Sequence, residues 1–253
     1  MISTQALSKR YGGASAVEGL DLEVGRGQLF GFLGPNGAGK TTTIKMLVGL
    51  LRPSSGRALV AGHDVVAEPE AAKAAIGYVP DAPILYDKLT GREFLEFSGD
   101  LYHLDRATRD RRIAGLLAIF DLAGRADDLL SSWSRGMRQK VSLAAALLHD
   151  PEVLFLDEPT VGLDPRSARL MKDILLDFCG EGKTVFVSTH ILEIAERMCS
   201  HIGIINRGHL VTAGPVREIL SGRGGESLEE VFLELTGGAE AEDITPLLAE
   251  LER

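Results

Sequence analysis

Between an apolar run, Leu29 to Leu33, and the residues Ile44, Leu47, Val48 and Leu51 at helical spacing, the chain carries Gly34-Pro35-Asn36-Gly37-Ala38-Gly39-Lys40-Thr41-Thr42. The first eight of these fit G-x-x-x-x-G-K-[ST]. Glycines let consecutive amides turn inward onto phosphate oxygens, Lys40 supplies neutralising charge, and the Thr41 hydroxyl can ligate Mg²⁺. Strand, glycine loop and helix in that order predict a nucleoside triphosphate site. A second apolar run, Val153 to Leu156, ends in Asp157-Glu158, which puts two carboxylates where a parallel strand leaves its sheet toward a ligand crevice. There Asp157 can hold the metal through water and Glu158 can polarise an attacking water. Paired acids at a strand end are otherwise plain solvated termini, and it is the glycine loop that favours the catalytic reading. His190 closes Val185-Phe186-Val187-Ser188-Thr189 at the same edge, where it can donate to a γ-phosphate; a lone histidine is otherwise a satisfied core residue.

A third element is Ser131-Ser132-Trp133-Ser134-Arg135-Gly136-Met137, which opens an apolar-periodic helix running to His149 with Ser134 as its N-cap. On residue types alone this is either an ordinary capped helix or an anion site.

The elements that must position these groups are also legible. Ile2 to Leu7, Leu20 to Val24 and Leu29 to Leu33 read as strands between glycine-bearing turns. From about residue 85 to 150 the pattern turns helical, with Thr90 and Glu93 as a capping box and Ile113, Leu116, Leu117 and Phe120 on one face. Val153 to Leu156 and Thr184 to Val187 are short unbroken apolar runs, as buried parallel strands require. Ile202 to Ile205 and His209 to Val211 form a hairpin about Arg207-Gly208. With no internal repeat, the expectation is one α/β unit with an inserted helical subdomain, and a tail from 239 to 253 whose last helix spans Thr245 to Leu251.

Composition narrows the class. The 253 residues are 45% hydrophobic and 25% charged, which fits a globular core and excludes disordered, collagenous and disulfide-rich chains. Nine of the 36 acidic residues and one Arg fall in 226–253, so most of the net charge of −9 lies in that last segment and the body before it is nearly neutral. No basic stripe is left for nucleic acid, and no polybasic patch for anionic lipid. No run of 18 apolar residues occurs and the start lacks a signal-peptide plan, which predicts a cytoplasmic chain that reaches a membrane only through a protein partner. Cys179 and Cys199 are expected to be reduced, buried and inert.

Together these motifs resemble the ATP-binding subunit of ABC transporters, from about Ile2 to Gly238. The resemblance implies a P-loop NTPase (RecA-like) core with an N-terminal antiparallel β part, covering 1–238 with the helical insert at about 85–150. It makes Gly34 to Thr42 the P-loop, Val153 to Glu158 the carboxylate motif, Gly162-Leu163-Asp164 the loop after it, and His190 the switch histidine. Tyr11 falls where an aromatic stacks on adenine. Ser134 and Gly136 occupy the signature that reaches ATP on the opposite subunit, with Gln139 following. Trp133, Arg135 and Met137, where Leu, Gly and Gln are usual, look like the drug and polysaccharide exporter (ABC-2) branch, as does the closing segment Ser227 to Gly237. Asp81, after Gly77-Tyr78-Val79-Pro80, replaces a usual Gln and is expected to act on Mg²⁺ through water.

The implied function is ATP hydrolysis, with ATP and Mg²⁺, by two like subunits driving a separate integral membrane permease, peripheral on its cytoplasmic face and most simply an exporter. The alternative is a soluble ABC-type ATPase not coupled to transport, which usually carries paired ATPase halves, a coiled coil or basic arms. A non-hydrolysing sensor would lack Glu158 or His190, and both are present.

Overall fold

The computed structural model describes residues 1–160, 163–221 and 227–237. The expected acidic tail and its helix, the boundary at 238 and Gly162 lie outside them.

The first strands run further than their apolar patterns imply. β1 (Ile2–Tyr11) pairs antiparallel with β2 (Ala14–Val24). Its alternation breaks at Ala6, which has φ 45°, donates its N–H to Asp21 and bulges the ladder between Thr4 and Leu7. Beyond it Ser, Lys and Arg and an exposed Tyr fill positions 8–11, which is why only Ile2 to Leu7 shows a strand pattern.

β3 (Leu29–Leu33) is buried at every residue and feeds the P-loop and α1 (Lys40–Leu47). β4 (Ser55–Val60) and β5 (His63–Asp64) complete an antiparallel sheet of order β2-β1-β4-β5. After α2 (Pro69–Ala74) and β6 (Ile76–Val79) come three helices: α3 (Gly91–Leu101), α4 (Arg106–Ile119) and α5 (Arg135–Leu148). Each has a side-chain N-cap: Thr90, in the expected capping box with Glu93, then Asp105 and Ser134.

The chain then alternates through β7 (Val153–Asp157), α6 (Pro165–Gly180), β8 (Thr184–Thr189), α7 (Leu192–Met198), β9 (His201–Asn206) and β10 (His209–Pro215). It closes with α8 (Val216–Ser221) and α9 (Leu228–Thr236). The second sheet has the order β10-β9-β3-β8-β7-β6, parallel except for β10.

Side-chain burial follows from this layering. One face of the large sheet, through Leu154, Leu156, Val185 and Val187, packs on Phe94, Leu95, Leu117 and Val141 of the three helices and on Leu175 of α6. The other face, through Phe30, Phe32, Phe155 and Phe186, packs on α1 and the antiparallel sheet. Phe186 lies 5.3 to 5.5 Å from each of the other three rings. α9 buries Leu228 against the cluster of Leu33, Ala195 and Ile202, and the Leu228 N–H donates to Glu196 of α7. At the P-loop the two sheets meet: the Gly208 N–H donates to the Ala38 carbonyl at 3.0 Å, and the Glu18 N–H to the Gly208 carbonyl at 2.9 Å.

Cys179 and Cys199 are free thiols, part-buried, and burial pushes them up to about 11 and about 12, so both stay neutral.

Where α5 returns to the core, His149 stacks on Tyr102, centroids 3.6 Å apart and planes within 6°, and its Nε2 lies 3.0 Å from the Ile76 carbonyl as donor. Burial pushes its pKa down to about 4, with Arg112 adding to the shift and the Ile76 carbonyl and Asp150 opposing it. The unfolded chain takes up this proton near 6.5, so His149 makes stability fall as pH drops from about 6.5 toward about 4. His149→Phe keeps a ring but removes the titration. Its urea midpoint should lie below the parent's at pH 7, with the gap narrowing at pH 5; a constant gap would mean that His149 does not drive the acid sensitivity.

Candidate functional site

Four adjacent parallel strands deliver the candidate residues to one edge. Leu33, the last residue of β3, stands beside Thr189 of β8, Ser188 beside Asp157 of β7, and Leu156 beside Val79 of β6. The P-loop, His190, the Asp157-Glu158 pair and Asp81 therefore leave the sheet side by side, where α/β sheets take their ligands.

The loop between β3 and α1 exists because its glycines have no side chains. A Cβ on Gly34 would lie 2.4 Å from the Ile205 carbonyl oxygen, and one on Gly39 2.6 Å from that of Ala16. Gly37 and Gly39 take φ of 78° and 110°. Lys40 opens α1 and folds back, its ammonium donating to the carbonyls of Gly34 at 2.7 Å and Pro35 at 3.2 Å. Its side chain is 7% exposed, and it stands 3.9 Å from Glu158 Oε1. Burial pulls the Lys40 pKa down, opposed by Glu158 and Asp157.

Above the loop lies a cavity of about 270 Å³ lined by Ala16, Asn36, Gly37, Gly39, Lys40, Thr41, Thr42, Asp81 and Glu158. Pro35 and Ala38 brace the loop, the Ala38 N–H donating to the Pro35 carbonyl at 3.2 Å.

Asp157 is 2% exposed and accepts a short hydrogen bond from the Ser188 hydroxyl. Tyr78 of β6 feels both flanking carboxylates: burial first, then Asp157 and Asp81, push its phenol up to about 12. Glu158 has φ 50°, uncommon outside glycine, and its N–H donates to the Ser188 carbonyl at 3.0 Å. Its Oε1 lies 2.9 Å from His190 Nδ1. Its Oε2 is buried and has no hydrogen-bond partner among the described residues. A buried carboxylate oxygen with no partner, beside an ammonium and a half-exposed imidazole, is suited to accept a proton from a small polar guest.

Eight expected residues are not in this lining: Gly34, Pro35 and Ala38 belong to the loop itself, Asp157 and His190 adjoin Glu158, and Tyr11, Ser134 and Gly136 lie elsewhere. Tyr11, 53% exposed, ends β1. Ser134 is exposed at the start of α5, where its Oγ accepts from the Met137 N–H at 3.3 Å. Gly136 beside it has its Cβ position 3.9 Å from Leu163.

The sequence reading missed two contributors, Ser188 and Ala16, and named Gln139 only as following the signature. Ser188 anchors Asp157, and its signal was a hydroxyl directly after the apolar run Val185 to Val187. Ala16 shapes the loop through its carbonyl, which no pattern marks. Gln139, 3% exposed, donates to the Pro159 carbonyl at 3.4 Å and so ties the helix behind Ser134 to the segment after Glu158. Asp164, by contrast, is the N-cap of α6, and hydrogen bonds from Ser167 hold its carboxyl below the usual range.

Comparison with known proteins agrees with this geometry. A family model described as ABC transporter matches residues 17–161. The daunorubicin resistance ATP-binding protein DrrA3 of Streptomyces coeruleorubidus is 42% identical over 92% of this chain and 74% of its own. The Nod factor export ATP-binding protein I of Ralstonia nicotianae is 38% identical over 92% of this chain and 72% of its own. A solved ATP-binding subunit of an ABC transporter superposes with a TM-score of 0.88 at 34% identity, covering 93% of this chain and 99% of that one. With the strand order and the glycine loop this leaves one assignment: the chain belongs to the ABC transporter family, as an ATP-binding subunit and ATPase.

Proposed function

We propose that two copies of this chain hydrolyse ATP at composite sites and drive an exporting permease. The observation that carries the catalytic part is the partnerless Glu158 Oε2 above the P-loop. The triphosphate lies along the loop amides and neutralises Lys40, and Tyr11 stacks on adenine. Glu158 takes the proton of the attacking water, and His190, held by Glu158, donates to the γ-phosphate.

The all-oxygen set of Thr41, Asp81 and Asp157 fits Mg²⁺, which commonly uses one or two carboxylates together with substrate phosphates. Among the described residues no cluster of three or more His, Cys, Asp or Glu could hold a metal by itself, which suits an ion brought with the nucleotide. When bound, it would neutralise charge on the phosphates, and Thr41, Asp157, fixed by Ser188, and the exposed Asp81 would hold it.

Ser134 belongs to the second copy's site. Exposed and outside the cavity lined by its own P-loop, it opens a 14-residue helix whose N-terminus favours an anion. Export follows the relatives, whose names speak of drug resistance and Nod factor export. Among the described residues no helix is long and apolar enough to cross a membrane, so the membrane path falls to a separate permease. A groove of about 500 Å³ between the core and the three helices supports this, with Ile84 at 89% and Leu101 at 62% exposure on its rim and Pro80, next to Asp81, in its wall. An amphipathic permease segment seated there would feel the nucleotide through Asp81.

Three tests follow from this assignment. Glu158→Gln should bind ATP with affinity within about threefold of the parent while turnover falls about a hundredfold or more, since the amide cannot accept the proton; near-normal hydrolysis removes Glu158 from its role. Lys40→Ala and Ser134→Arg chains, each inactive alone, should form mixed dimers with one working site; mixed dimers as inactive as the parents would place Ser134 in cis. Ile84→Arg should release the subunit from permease-containing membranes while ATP binding persists, and unchanged membrane association would locate docking elsewhere.

A further inference from the structure

The face of the molecule that meets the base carries a second group. Lys9 and Tyr11 are two residues apart on β1, the spacing at which strand side chains share a face. The Lys9 ammonium lies over the Tyr11 ring, 5.4 Å from its centroid, and donates to the Arg52 carbonyl at 2.7 Å. Arg52 follows α1, and its segment is itself sewn to β1: the Ser54 N–H donates to the Ser8 carbonyl at 2.8 Å, and the Arg10 N–H to the Ser54 hydroxyl at 3.0 Å. The helix that begins at the glycine loop thus leads into a segment that anchors the cation over the ring.

We propose that Lys9 is a positioning residue for the nucleotide base, fixing the Tyr11 ring so that one face lies under the ammonium and the other is open to the purine. The proposal rests on the stacking role given to Tyr11 above. A half-exposed tyrosine loses side-chain freedom when a base stacks on it, and a ring already fixed loses less. A cation on one face also draws π density from the other, which favours an electron-rich purine there. Lys9 acts through the ring and not on the phosphates, because its charge is committed to the Arg52 carbonyl and the π face. Stacking tolerates any base, so the effect extends to ATP and GTP alike.

Titration calorimetry on the whole subunit with ATP, GTP and inorganic tripolyphosphate tests this, using Lys9→Met, which keeps the stem without the charge, Lys9→Arg, which restores a cation, and Tyr11→Ala. Lys9→Met should weaken ATP and GTP by about threefold to tenfold, leave tripolyphosphate unchanged, and raise KM with kcat held. Lys9→Arg should recover most of the loss, and adding Lys9→Met to Tyr11→Ala should cost nothing more. Equal weakening of tripolyphosphate would make Lys9 a general attractor of anions and overturn the proposal. So would a silent Lys9→Met beside a weakened Tyr11→Ala, which would leave the stacking role standing. A silent Tyr11→Ala would instead remove the stacking role, and the proposal with it. Unchanged melting temperatures in the absence of nucleotide exclude a folding cause.

Discussion

A buried ammonium sets the terms for the rest of this molecule. Lys40 is almost without solvent, held by two carbonyls of its own loop, and its nearest anion is Glu158 at 3.9 Å. Carbonyl dipoles and one distant carboxylate leave the charge only partly compensated, and burial pulls its pKa down accordingly. Phosphate oxygens arriving along the same loop would complete the shell. The glycines are required by the same geometry, because a side chain at Gly34 or Gly39 would meet the carbonyls of Ile205 or Ala16.

The sheet order then decides which chemistry faces that cation. With β8 between β3 and β7, Ser188 and His190 come from the strand separating the P-loop from the paired acids, and each binds one of them: Ser188 takes Asp157, His190 takes Glu158. Neighbouring carboxylates thus receive different environments, one buried and fixed by a hydroxyl, the other with one oxygen held by an imidazole and one without a partner. Divergent surroundings are what allow two acids at one strand end to take different tasks.

Much of this was legible because it is local. Gly34 to Thr42 is a contiguous pattern, the buried strands are unbroken apolar runs, and the capping residues Thr90 and Ser134 announce their helices. What escaped was carried by the backbone or by distance in sequence. The second half of β1, Ser8 to Tyr11, buries no apolar side chain, and a positive φ such as that of Ala6 leaves no mark in an alanine. β4 and β5 are short and mostly solvated, with little apolar content to read. The bond from Gln139 to Pro159 joins residues 20 apart whose types suit many other partners. The nucleotide roles of Ser134 and Tyr11 came only by resemblance, because their proposed ligands lie outside the part of the cavity that one chain encloses.

The junction at Gly208 joins ligand occupancy to the integrity of the protein. That single residue accepts from Glu18 of the antiparallel sheet and donates to Ala38 of the P-loop, so the loop fastens the two sheets to each other. Whatever orders the loop also holds the two layers together, and a ligand that prefers the folded form adds RT ln(1 + [L]/Kd), about 2.7 kcal/mol at a hundredfold excess over Kd. Through that junction, occupancy of the loop and cohesion of the two layers are thermodynamically linked: a ligand held by the loop resists not only unfolding of the loop but also parting of the sheets on either side of it.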